Sequence, residues 1–157
     1  MCKTANNKEK TTKLPIIGIP GIDEQHREFM ALLDELQGHL EKEKPACDFV
    51  IASFHKLTEN LKVHIATEEN LMEMIGFSGI ADHKVQHKNL LKQISDAAET
   101  LEKSGNLNIA DTIRFMREAD LEHIAASDVE YAAHIENLMV LKQKYNISSV
   151  RAQVLTK

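Results

Sequence analysis

The chain has 157 residues, 43% hydrophobic and 27% charged, with a net charge of -5. That length supports one domain with a proper core and gives no reason to propose a second. Acidic and basic residues interleave, aromatics are 4% and Trp is absent; this excludes the basic stripe of a nucleic-acid surface and a stacking platform for bases. No stretch approaches the roughly 18 apolar residues of a membrane span, and the polar first thirteen residues lack a signal peptide's apolar segment, so no membrane partner is expected and the cytoplasm is the expected location. Cys2 and Cys47 are expected to be free thiols, since Cys2 sits in a polar leading segment.

Residues 1–14 read as a flexible tail. From Ile22 the apolar positions step by four and three through Phe29, Leu33, Leu36 and Leu40, the spacing of one helix face, and His26 fills the missing step. A second stripe runs Val50, Phe54, Leu57, Leu61, then His64 and Glu68, then Leu71 and Ile75. The third begins with His83 and His87 and continues through Leu90, Ile94, Ala97 and Leu101. The fourth runs Ile109, Ile113, Met116, Asp120 and His123, then Ile124, Asp128, Tyr131, Ile135 and Leu138. Pro45, Gly76 with Gly79, and Ser104-Gly105-Asn106 mark the breaks, and Asn108 with Asp111 is a candidate N-cap for the last helix. Short connections make successive helices antiparallel neighbours. The expected fold is all-α, an up-down-up-down antiparallel four-helix bundle over residues 15–145, followed by a tail or short docking helix over 146–157.

Seven polar residues thus occupy core positions: His26, His64, Glu68, His83, His87, His123 and Asp128. Counted from helix ends near Glu43, Cys47, Lys103 and Asn108, the four patches sit roughly 22 to 26 Å from the same end of the bundle, so they share one layer. His123 and Asp128 need a local change of helix. Five residues of ideal α-helix leave them some 140° apart, and a π-bulge between Ile124 and Asp128 would bring both inward.

Five imidazoles and two carboxylates buried without a counter-ion would cost several kcal/mol per charged group, and no Lys or Arg falls on the inner stripes. A metal centre is the expected solution. If two octahedral ions share Glu68, Asp128 and one solvent-derived oxo or hydroxo bridge, the five imidazoles fill five of the six remaining places and one stays open. His83 and His87, one turn apart, should share an ion. Imidazole suits iron, zinc or copper; two Fe ions are favoured because a bridged pair with one vacancy suits two-electron binding of dioxygen. The helix pattern lacks the two Glu-x-x-His motifs of carboxylate-rich di-iron proteins.

Ile22-Asp23-Glu24-Gln25-His26, His64-x-x-x-Glu68-Glu69-x-x-Met72, His83-x-x-x-His87 and His123-Ile124-x-x-x-Asp128-x-x-Tyr131 together resemble the hemerythrins, over about residues 16 to 142. The resemblance implies a non-haem di-iron site that binds O2 reversibly, for storage, delivery or sensing. It further implies that His83, His87 and His123 hold one iron and His26 and His64 the other, with O2 entering at the latter.

Two departures stand out. The family commonly has Trp-Leu where this chain has Ala119-Asp120, and that Leu is the apolar residue expected beside bound O2. Asp120, three residues before His123, shares the inward face. It either turns to solvent, pairs with a ligand's N–H, or lies in the O2 pocket as a modulator of the site. The second departure is longer spacing between ligands at the far end of the bundle, expected to extend it away from the metals. Alternative readings are a di-iron enzyme that reduces O2, peroxide or nitric oxide with Asp120 involved, and an iron-holding or sensor module. His39, His55 and His134 are expected to face solvent, and Met72 and Met74 to be core or gap-filling side chains.

Overall fold

The computed structural model describes residues 13–42, 46–104 and 108–145. Most of the expected tail over 1–14, the segment 146–157, Cys2, Pro45 and the Gly105-Asn106 turn lie outside the described residues. Five helices follow in order: α1 (Pro20–Lys42), α2 (Cys47–Ile75), α3 (Ile80–Ser104), α4 (Ile109–His123) and α5 (Val129–Lys144), with a π-helical turn, Ile124–Asp128, joining the last two. The segments α4, π turn and α5 act as one long fourth helix. Helix α1 packs on α2 and α4, and α3 on the same two, which closes the ring of a four-helix bundle.

Below the layer of buried His, Glu and Asp side chains the core is apolar but for Thr58, whose Oγ1 donates to Phe54 O. Phe29, Leu33, Leu36 and Leu40 of α1 meet Val50, Phe54, Leu57 and Leu61 of α2, Ile94 and Leu101 of α3, and Ile109, Ile113 and Met116 of α4. Each buried Leu, Ile or Phe removes its side chain from water, which contributes about 1.5–3 kcal/mol. This packing fixes the helix rotations, and the rotations point the interrupting polar residues inward.

The helix ends follow local chemistry. Pro20 opens α1, where its missing N–H costs nothing. Gly76 ends α2 at φ 66°, with Gly76 N–H donating to Glu73 O and Phe77 N–H to Met72 O; this is the paired bonding that an αL residue permits. The turn lays Phe77 against Tyr131 and His134, ring centroids 6.4 and 5.7 Å apart. Asn108 Oδ1 accepts the Asp111 N–H, the expected cap of α4. At the start of α1, Asp23 accepts the N–H groups of Ile17 and Gly18, which ties the preceding segment to the bundle.

Several expectations need correction. Leu14, assigned to the flexible tail, packs against the core. His134 is half-buried rather than solvent-facing, since its Nε2 lies 3.2 Å from Ile75 O under the Phe77 ring. Met72 is in the core, but Met74, two residues on and about 200° around the helix, is exposed. Leu138 is exposed as well, because past Tyr131 no residue of α5 is fully buried. His39 and His55 are on the surface, His55 paired with Glu102. Cys47 is a free, exposed thiol. Among the described residues no helix is long and apolar enough to cross a membrane.

Candidate metal centre

All seven residues are buried, between 0% and 6% exposed, and all four bundle helices contribute. They form two overlapping groups: Glu68, His83, His87, His123 and Asp128, and His26, His64, Glu68 and Asp128, in each of which ligand atoms lie within 4.8 Å of one another. Glu68 and Asp128 belong to both. The two Asp128 oxygens face different imidazoles, Oδ1 lying 3.1 Å from His123 Nε2 and 3.3 Å from His83 Nε2, while Oδ2 lies 3.3 Å from His26 Nε2. Glu68 Oε2 is 3.0 Å from His87 Nε2 and 3.3 Å from His64 Nε2. Asp128 reaches this position through the π turn, which realigns it with His123 one turn earlier.

The imidazoles converge through Nε2, and three of them are anchored through the opposite nitrogen, while His26 Nδ1 is buried without a hydrogen-bond partner. His64 Nδ1 donates to Gln25 Oε1 at 3.3 Å, His87 Nδ1 to Glu69 Oε1 at 3.2 Å, and His123 Nδ1 to Gln86 Oε1 at 3.0 Å. Ser127 Oγ also donates to Gln86, and Lys84 lies beside Glu69. An Nδ1–H bound this way leaves the Nε2 lone pair free for a cation and fixes the ring plane. Tyr131 Oη, fully buried, donates to Glu68 Oε1 at 2.5 Å and orients that carboxylate from the other side.

Gln25, Glu69 and Tyr131 stand in the motifs of the resemblance without an assigned role, and Gln86 and Ser127 fall at positions those motifs leave unspecified. Gln25, Glu69 and Gln86 each sit one position from a ligand, where a polar side chain equally suits a solvated helix face. Tyr131 was visible as an inward stripe position and a motif residue, but not as a hydrogen-bond donor to Glu68.

The electrostatics describe a site that attracts positive charge. Burial alone would raise Glu68, but hydrogen bonds from His64, His83 and His87 override it and hold the carboxyl well below its usual range. Asp128 is likewise lowered: burial raises it, and His123 and His26 pull it down by more. Burial lowers His26 and His87, but the carboxylates of Asp128 and Glu68 close to their ring nitrogens outweigh it, and both imidazoles are raised. Among the described residues no Lys or Arg pairs with either carboxylate. Four atoms inside the cluster, His26 Nε2, His123 Nε2 and both Asp128 oxygens, have no hydrogen-bond partner. Orphaned donors and acceptors aimed at one another, with two anions and no cationic side chain, fit metal ions as the missing partners.

Asp120 also lies inward, 4% exposed, with Oδ2 lacking any hydrogen-bond partner. Of the three expectations for it, the turn to solvent is excluded by this burial. Burial pushes its carboxyl up to about 6, against the pull of His64 and His26.

The family model described as the hemerythrin HHE cation binding domain matches residues 18–140. The chain is similar to a bacteriohemerythrin of Stenotrophomonas maltophilia, 30% identical over 122 residues, which covers 76% of each chain. It is also similar to a bacteriohemerythrin of Clostridium acetobutylicum, 25% identical over 118 residues, 73% of this chain and 92% of the relative. No solved structure matches the chain significantly. The family match spans all seven of the clustered residues, and the chain belongs to the hemerythrin family.

Proposed function

We propose that this protein binds O2 reversibly at a non-haem di-iron centre. The observation that carries this reading is the pair of overlapping ligand groups that share Glu68 and Asp128, one with three imidazoles and the other with two. In this reading His83, His87 and His123 would hold one iron and His26 and His64 the other, with Glu68 and Asp128, which belong to both groups, available to each. The two-imidazole half is one ligand short, which leaves a place for a small diatomic molecule. When bound, the iron pair supplies two electrons to O2 and recovers them on release.

The chain's own residues set the conditions for that exchange. Gln25, Glu69 and Gln86 hold their imidazoles in one orientation, so the ligands do not reorganise between reduced and oxidised states. Tyr131 keeps a proton on its hydroxyl, because burial and then the charge of Glu68 push the phenol far above its usual range, and so it remains a donor to Glu68. The apolar layer beneath, with Leu61 and Met116, excludes bulk water from the centre. Reduced, iron-loaded protein titrated anaerobically with O2 should develop a visible charge-transfer band that disappears on deoxygenation. Iron-loaded reduced protein that gives no band under O2 would sink the reading.

A second reading is favoured by one observation, the buried carboxyl of Asp120 with its unpartnered oxygen. A group that can hold or move a proton beside the two-imidazole half suits an enzyme that reduces O2, peroxide or nitric oxide. Steady turnover with an electron donor separates the two.

A further inference from the structure

Most buried polar atoms of the inner layer are accounted for by the ligand set and its anchors, but Asp120 is not. It projects from the inward face of α4 with Ile113, Met116 and His123, and it is the remaining carboxylate of that layer that belongs to neither metal-binding group. Its electrostatic partners, strongest first among the imidazoles, are His64 and then His26, the two imidazoles of the ligand-poor half; Asp128 and Glu68 lie within reach of its field as well. Asp120 therefore sits beside the half of the centre where a small molecule would enter, beyond direct ligation. An oxygen so placed, deeply buried and without a donor, lacks one hydrogen bond that a molecule on that half would provide.

We infer that Asp120 determines which ligands the His26–His64 half accepts: its carboxylate accepts a hydrogen bond from a proton-bearing ligand, water or hydroxide foremost, and disfavours anions and ligands with no proton to donate. This rests on the di-iron reading above. The carboxylate acts in two ways. It stabilises solvent as the competing occupant through a charge-assisted hydrogen bond, and it repels an incoming anion across a water-poor space where Coulomb forces are weakly screened. A leucine at this position would do neither.

Azide is a suitable probe, since it is an anion without a proton to give. Wild-type protein and the D120L and D120N variants are loaded with iron, oxidised, assayed for iron content and titrated with azide by visible absorption. Asp120→Leu should bind azide at least about tenfold more tightly than wild type, the size expected for one charge-assisted hydrogen bond and its repulsion removed. Asp120→Asn, which loses the charge but keeps an acceptor oxygen, should fall between the two. A gain in affinity is not what structural damage produces, so it separates a role toward the ligand from a role in packing. If Asp120→Leu does not fold, a gain of about threefold or more in Asp120→Asn supports the inference. Unchanged or weaker azide binding with iron retained overturns it and leaves the di-iron reading standing. Wild-type protein that takes up no iron overturns both.

Discussion

Tyr131 offers the sharpest test of how the centre is held. Its ring is fully buried, its hydroxyl donates to Glu68 Oε1 at 2.5 Å, and its ring contacts with Phe77 and His83 do not involve the oxygen. Tyr131→Phe therefore removes one hydrogen bond and little packing. A hydrogen bond to a charged partner contributes about 1.5–3 kcal/mol, and Glu68 cannot recruit water at zero exposure. For a domain of this size each kcal/mol is worth about 2–4 °C, so thermal unfolding of the metal-free protein followed by circular dichroism should shift down by about 6 °C. The same substitution should loosen metal binding, since Glu68 loses the contact that orients it. A shift of less than about 1 °C in metal-free protein would show that Glu68 does not depend on Tyr131, and the ordering of the centre from that side would have to be abandoned.

Other consequences follow from the same geometry. Glu69→Ala or Gln86→Ala should weaken metal binding about 10- to 100-fold in a chelator competition while helicity is retained, because each frees one imidazole to rotate. Inserting one alanine between Ala125 and Ala126, exposed residues of the π turn, should rotate Asp128 by about 100° off the inward face; metal content should fall below two per chain with the helical spectrum intact. Asp120 provides a pH dependence. Its carboxyl is raised from 3.8 to about 6 on folding, so the folded form binds its proton more tightly and stability drops as pH climbs through that interval. Asp120→Leu removes the penalty: relative to wild type, metal-free protein should gain about 2 kcal/mol more at pH 7.5 than at pH 4, measured by denaturant unfolding, and an equal difference at both pH values would refute the assignment.

Much of this architecture was legible in the apolar spacing. The three-and-four steps from Ile22 to Leu40 and from Val50 to Leu61 became buried helix faces, since a stripe of that width has nowhere to go but a shared core. The π turn at Ile124–Asp128 was readable from geometry alone, because His123 and Asp128 are five residues apart and both had to face inward. Periodicity failed where neighbours were missing. Leu138 continues the stripe of the fourth helix but is exposed, since no residue of α5 past Tyr131 is fully buried, and sequence spacing carries no information about how far partner helices extend. The anchors of the imidazoles were hidden for a different reason. Gln25, Glu69 and Gln86 act sideways across helix interfaces, so their partners are 39, 18 and 37 residues away in sequence and no local pattern joins them.

Asp120 was visible as a polar residue on an inward face, while its burial and missing partner required the fold. Whether the centre carries iron and O2 is tested most directly by one titration. Purified protein is reconstituted with ferrous iron without oxygen, assayed for iron per chain, and then titrated with O2 and deoxygenated under visible spectroscopy. Two irons per chain and a band that rises with O2 and vanishes on its removal are the expected result. Fewer than two irons bound, or a reduced two-iron protein whose spectrum does not respond to O2, would contradict it.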